Sequence, residues 1–232
     1  MKFLNSCFTL IAIILFSACE HKEVEGLESE GKAFITFVHA SRLNGGYSFY
    51  VNGEKQAFIT GIAGYERLKP VKPGISTLEV RDLNNNVIQK QTLNLINGEQ
   101  YTLYLIGKLD PVDDSEKMQF FVTTDDYITG TNTAKLCIIH AIPKGSNLDL
   151  SINDEPKFTG LQYGKATGFI DIKTTATNFI ALTTKPSGRK MMNFGFPFES
   201  GMIYIVIVSE IKGENSTTDK INMIDFKAYS VN

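Results

Sequence analysis

The chain repeats itself, and the repeat limits what it can fold into. Phe34-Ile35-Thr36-Phe37-Val38-His39-Ala40-Ser41 has a counterpart in Lys135-Leu136-Cys137-Ile138-Ile139-His140-Ala141-Ile142. Thirteen residues after each histidine stands a turn asparagine, Asn52 before Gly53 and Asn153 before Asp154. Phe58-Ile59-Thr60-Gly61 then matches Phe158-Thr159-Gly160, and Gly98-Glu99-Gln100-Tyr101 matches Gly201-Met202-Ile203-Tyr204. The order is kept and the period is about 100 residues. Solenoids and propellers repeat every 20–50 residues, so a period of this length means two domain-sized units in tandem.

Each unit reads as all-β. Tyr47, Phe49 and Val51 alternate with polar residues, and Val, Ile, Thr, Phe and Tyr dominate the runs. Asn44-Gly45, Asn52-Gly53, Pro73-Gly74, Asn84-Asn85-Asn86 and Asn97-Gly98 separate them as turn signals. No amphipathic helical pattern stands out. Short strands at about seven per hundred residues predict two immunoglobulin-like β-sandwiches. The chain has no Trp, and no Cys–Trp–Cys pin, so aliphatic, Phe and Tyr packing must hold each sandwich. The polar, turn-rich segment Thr124–Thr133 divides the units, with the boundary near Gly130. The predicted domains are 33–129 and 130–232.

The first 32 residues have another logic. Met1-Lys2 is followed by the apolar run Phe8–Phe16, then Ser17, Ala18 and Cys19. This is the charged, apolar and small-residue order of an export signal. As a helix the run covers about 14 Å, against about 30 Å for a bilayer core. Leu15-Phe16-Ser17-Ala18-Cys19 resembles the lipobox of bacterial lipoproteins, with Phe16 where Leu is usual. The resemblance implies cleavage after residue 18 and lipid on the Cys19 thiol. Residues 19–32 are acidic and poor in large apolar side chains, which predicts a flexible tether. Lys22-Glu23 also resembles the export signal that sends lipoproteins of one Gram-negative phylum to the outer face of the outer membrane. The expected location is therefore the cell surface, lipid-anchored in the outer membrane.

Phe37-Val38-His39-Ala40-Ser41, Tyr50-Val51-Asn52-Gly53, Lys72-Pro73-Gly74, Gly98–Thr102 and Val122–Asp126 together resemble the domain-of-unknown-function family numbered 4397. The second unit is a weaker copy. It keeps Ile139-His140-Ala141 but has Ala176-Thr177-Asn178 where the first has its Pro-Gly. The resemblance covers nearly the whole mature chain. It implies extracytoplasmic, immunoglobulin-like sandwiches of cell-surface lipoproteins, and no reaction.

The net charge of −2, without a Lys/Arg cluster, argues against nucleic-acid binding. Cys137 would be the single free thiol of the mature chain, and its apolar surroundings predict a small buried hydrophobe. His39 and His140 end the first strand of each unit. A metal or catalytic role needs partners that the sequence does not supply, so the expectation is that they hold turns. In Phe194-Gly195-Phe196-Pro197-Phe198, alignment of the units puts Phe196 and Phe198 on Leu93 and Leu95, in the core. Phe194 is left as an exposed contact residue. Asp110, Asp113, Asp114 and Glu116 lack the spacing of a calcium loop and are expected to be solvated. No cofactor is implied. The expected function is a binding or structural module, membrane-held through Cys19, whose partner is a surface glycan or protein. The alternative is a periplasmic-facing enzyme built on loose carboxylates such as Asp125-Asp126, or a glycan-binding accessory protein.

Overall fold

A computed structural model describes residues 31–41, 45–61, 63–108, 111–174, 177–185, 187–188, 190–210 and 219–227. Within them, side chains are described except at 190–192, 194, 210 and 219–227. Cys19 and the tether up to residue 30 lie outside this range.

The protein is an all-β sandwich structure. In the first half the strands are β1 Ala33–His39, β2 Gly46–Val51, β3 Glu54–Thr60, β4 Tyr65–Val71, β5 Gly74–Arg81, β6 Val87–Leu95, β7 Gln100–Ile106 and β8 Gln119–Asp125. In the second half they are β9 Thr133–His140, β10 Leu148–Ile152, β11 Glu155–Leu161, β12 Ile170–Lys173, β13 Asn178–Thr184, β14 Lys190–Phe196, β15 Met202–Glu210 and β16 Asp219–Lys227. The sheets are β4-β1-β7-β8 and β3-β2-β5-β6, then β12-β9-β15-β16 and β11-β10-β13-β14. The second pair repeats the first with every number raised by eight. In both halves the first and seventh strands are parallel, β1 with β7 and β9 with β15.

Register makes the repeat exact in residue terms. Val51 pairs with Leu78 and Leu78 with Gln91. Ile152 pairs with Ile180 and Ile180 with Phe194. Leu93 therefore corresponds to Phe196 and Leu95 to Phe198, as the sequence alignment has it. Phe198 is buried, and its ring packs edge-on against Phe196 and Tyr204 at 4.9 and 4.8 Å between centroids.

Two small devices are duplicated with the framework. Asn52 and Asn153 both sit at φ 52, a left-handed conformation that Asn tolerates because its amide bonds locally. Asn52 Oδ1 accepts from the Thr77 amide at 2.8 Å and its Nδ2 donates to Ser76 Oγ at 3.2 Å. Asn153 does the same with the Phe179 amide at 2.9 Å and Asn178 Oδ1 at 3.0 Å. Each asparagine thus pins the β2–β3 type of turn to the next strand of its sheet. The Tyr101 hydroxyl accepts from the Ile96 amide at 3.0 Å, and the Tyr204 hydroxyl from the Glu199 amide at 3.0 Å. Asn153→Ala is expected to cost about 2–3 kcal/mol, from two lost hydrogen bonds and a strained backbone. Asn153→Gly, which keeps the backbone at ease, should cost about 1–2 kcal/mol in the same urea titration.

Among the described residues, three cores form. One lies between the first two sheets, around Phe37, Phe49, Leu78 and Leu103. A second lies between the last two, around Leu136, Ile138, Ile180 and Val206. The third joins the inner sheets of the two halves: Val38, Ala40, Tyr104, Ile106 and Tyr127 meet Cys137, Ile139, Ala141, Ile203, Ile205 and Ile207. The four sheets therefore stack as layers. This is why β1, β7 and β9 are buried along nearly their whole length, while β3 and β11 in the outer sheets alternate or face water. A strand covered on both faces needs a continuous apolar run.

Candidate functional site

The histidines lie at the distal ends of β1 and β9, and both are fully buried. His140 Nε2 sits 3.0 Å from the Ser146 carbonyl, so this nitrogen carries the proton. Its Nδ1 then accepts from the Ile142 amide at 3.3 Å. A side chain at Gly145 would meet the His140 ring at 2.9 Å, so the loop closes tightly over the imidazole. His39 has a thinner set, with Ser41 Oγ at 3.5 Å and the Tyr47 ring at 5.0 Å. Burial lowers its pKa to about 4 and lowers that of His140 as well, against weaker backbone contacts that raise them. Both rings are neutral at physiological pH. Among the described residues, no His, Cys, Asp or Glu side chains group as a metal site would require.

The junction between the inner sheets holds a carboxylic acid that the sequence places in a polar linker. Asp125 ends β8 and is buried. Its oxygens take hydrogen bonds from three hydroxyls: Thr102, Thr123 at 2.7 Å and Tyr127 at 2.9 Å. The Thr102 and Tyr127 oxygens also lie 2.8 Å apart, closing a three-membered cluster with the carboxyl. Tyr127 is itself buried, edge-on to Phe169 of the second half at 5.2 Å. Burial raises the Asp125 pKa to about 6, against the lowering effect of the three hydroxyls. Beside it Asp126 turns outward to Lys135 at 2.8 Å, so the two neighbouring carboxylates do not form a pair. Cys137 is fully packed here, and burial pushes its thiol up to about 12, which leaves no thiolate nucleophile.

The acidic loop before β8 is solvated at Asp113 and Asp114, as expected, but not at Glu116. Asp114–Glu116 forms a 3-10 turn capped by Asp113, whose carboxylate accepts from the Ser115 amide at 3.0 Å. Glu116 is buried. It accepts from the Val112 amide at 3.0 Å and pairs with Lys108 at 3.0 Å. Lys144, in the loop after β9, reaches across to Asp113 at 2.5 Å and to Glu116 at 3.7 Å. The Lys144 ammonium, then Ser115, brings the Asp113 carboxyl down to about 2. The loop is an ionic clasp between the halves, and the residues that make it one, Lys108 and Lys144, carry no local signal in sequence. Asp110 lies outside the described residues.

Of the aromatic candidates, the Phe194 side chain lies outside the described set; its backbone pairs with Ile180. Two other phenylalanines are exposed on the outer sheets, and each covers a glycine. A Cβ at Gly46 would meet the Phe58 ring at 2.5 Å, and one at Gly195 the Phe179 ring at 3.2 Å. Aromatic cover of a strand glycine stabilises the sheet by itself. A polar cavity of about 320 Å³ opens beside Asn153, Asn178, Glu155, Lys157, Asp171 and Lys173. Its amides are engaged with each other and with the Lys173 carbonyl at 2.8 Å, and Glu155 with Lys157 at 2.8 Å.

The placement of loops follows from strand direction. β1 and β9 both run away from the Lys32 end, and the clasp Lys144–Asp113 joins their distal sides. At the opposite side Lys135 meets Asp126. The two halves thus lie side by side in the same sense. Strands β1, β3, β5 and β7 of the first half, and β9, β11, β13 and β15 of the second, therefore end on the side opposite Lys32. No protein-family model matches this chain, and no curated protein matches it.

Proposed function

We propose that this chain is a lipid-anchored, extracytoplasmic binding or structural module of the outer membrane, held at Cys19, displayed at the cell surface and without catalytic activity. Its two units are of the 4397 type. The observation that carries the reading is the common direction of the two halves. The chain leaves for Cys19 at one end, and loops from both halves gather at the other, fixed in register by the third core and the Lys144 clasp. Clustered loops at one end of a sandwich are a common platform for recognition. A surface glycan or protein is the partner class, met away from the membrane.

The anchor and the platform are tested separately. The wild-type chain should partition with membranes and carry diacylglyceryl mass on Cys19, while Cys19→Ala should be released in soluble form. Equal partitioning of the two overturns the anchor. Protease treatment of intact cells should remove the protein; survival argues against surface display. A glycan and host-protein binding screen on the mature chain should return a ligand whose binding is lost on substitution of the exposed Leu83 or Val112. A blank screen leaves the structural role alone.

A further inference from the structure

The end of the molecule at Lys32 carries exposed isoleucines. Ile75 is 81% exposed and Ile96 57% exposed. Ile75 faces Asn94 across the β5–β6 ladder, and Ile96 follows Asn94 by two residues. Ile75 is the second residue of β5 and Ile96 the first after β6, so both stand at the Lys32 end of this ladder. Ile128, just past β8 at the same end, is 73% exposed. Unlike Phe58 and Phe179, the Ile75–Ile96 pair covers no glycine: nothing lies within 4 Å of a Cβ built at Gly74 or Gly98.

The turn that carries Ile96 is bonded directly to the departing chain. The Lys32 amide donates to Asn97 Oδ1 at 2.9 Å, and the Gly98 amide donates to the Lys32 carbonyl at 2.8 Å. The exposed Lys32 and Lys72 lie at the same end. The duplication supplies an internal control. In the second half, Thr177 stands at the position of Ile75 and Glu199 at that of Ile96, by the register of β13 and β14. Only the half joined to the tether carries isoleucines at these tips.

From this placement we infer that the tether end is a membrane-docking surface: Ile75, Ile96 and Ile128 enter the interfacial region of the bilayer, and Lys32 and Lys72 meet its headgroups. The inference rests on the reading of Cys19 as the lipid-bearing residue. Thirteen peptide steps from Cys19 to Lys32 span at most about 45 Å and about 20 Å on average. Contact that is weak alone is then strengthened by high effective concentration, as for any second signal beside one anchor. Docked this way, the distal loops point straight out from the membrane.

The test uses the lipidated full-length mature protein in vesicles of phosphatidylethanolamine and phosphatidylglycerol at 3:1. A polarity-sensitive dye is attached at Ile96→Cys and, as the control, at Glu199→Cys; buried Cys137 stays unlabelled. The expected result is a blue-shifted emission at 96, quenched by brominated lipid, with solvent-like emission at 199. The same solvent-like emission at both positions, in protein whose mass shows lipid on Cys19, overturns the docking. Missing lipid mass on Cys19 overturns the anchor reading instead, and with it the basis for docking. In unlipidated Cys19→Ala protein, adding Ile75→Thr and Ile96→Glu should weaken vesicle partitioning about tenfold or more. Unchanged partitioning counts against the docking whatever the state of Cys19.

Discussion

Tyr104→Ala is expected to lower the stability of the whole protein by about 3–5 kcal/mol. Tyr104 is fully buried and stands at the centre of β7, stacked on Phe121 at 5.0 Å. It faces the third core, where Ile205, Ile207, Ile139 and Cys137 of the second half pack with it. Truncation opens a cavity between two sheets that each carry a further core behind them, so the walls have little freedom to collapse. The loss should be felt by both halves together. The wild type should unfold in urea as one transition by far-ultraviolet circular dichroism, with the variant shifted as a unit. Two separate transitions in the wild type, or a variant that shifts only half of the signal, would show the junction to be a loose contact. Tyr104→Phe gives the contrast. The Tyr104 hydroxyl is buried without a hydrogen bond of good geometry, so removing it should be neutral or stabilising by about 1 kcal/mol.

The junction was the part of the fold that the sequence expressed most quietly. Strands, turns and the correspondence of the halves were legible because they are local: alternation at Tyr47, Phe49 and Val51, asparagines at Asn52 and Asn153, and glycines at Gly98 and Gly201. The packing of sheet on sheet between the halves is not local. Its signal was present in Leu103–Ile106 and Ile203–Val208, and in Phe34–Val38 but for Thr36, which are apolar at consecutive positions where a strand with one wet face would alternate. Asp125 was legible only as one more acid in a turn-rich linker, because nothing in its neighbours states that Thr102, 23 residues away, shares its site. The same holds for the Lys144 clasp on Asp113 and Glu116, which only the side-by-side placement of the halves creates. The candidate histidines were easy to find by repetition and hard to interpret. Ser146, which fixes the His140 tautomer, and Gly145, which lets the loop close, align with Gly45 and Asn44 of the first half, so the spacing is kept but the residues are not.

Asp125→Asn is expected to change the pH dependence of stability by about 2 kcal/mol between pH 4.5 and pH 7.5, from a shift of about two units. The folded protein holds the Asp125 proton up to about pH 6, against an ordinary value of 3.8. A carboxyl whose pKa is raised on folding contributes stability that is full below its unfolded pKa and is lost as pH rises through about 6. The groups around it are hydroxyls, Thr102, Thr123 and Tyr127, together with the buried Tyr104 and Cys137. The cations of this region do not answer it, since Lys135 is engaged with Asp126 and Asp171. The buried histidines act in the opposite sense over the same window. His39 is held neutral down to about pH 4, so the unfolded chain takes up its proton first and acid weakens the fold. His140 adds to this in the same direction. In the wild type the two trends offset each other, and the profile between pH 4 and 7 should be shallow. Without the titrating acid, Asp125→Asn should keep the histidine trend, joined by paired carboxyls such as Glu116 and Asp126 that are held down in the fold, and lose stability steeply on acidification. The difference between the two proteins, measured by urea unfolding at pH 4.5 and 7.5, isolates Asp125 from every other titrating group. Asp113, whose carboxyl is held down at about 2, contributes equally to both proteins and cancels in the difference. Parallel profiles for the two proteins would mean that Asp125 is ionised throughout and that water reaches the junction.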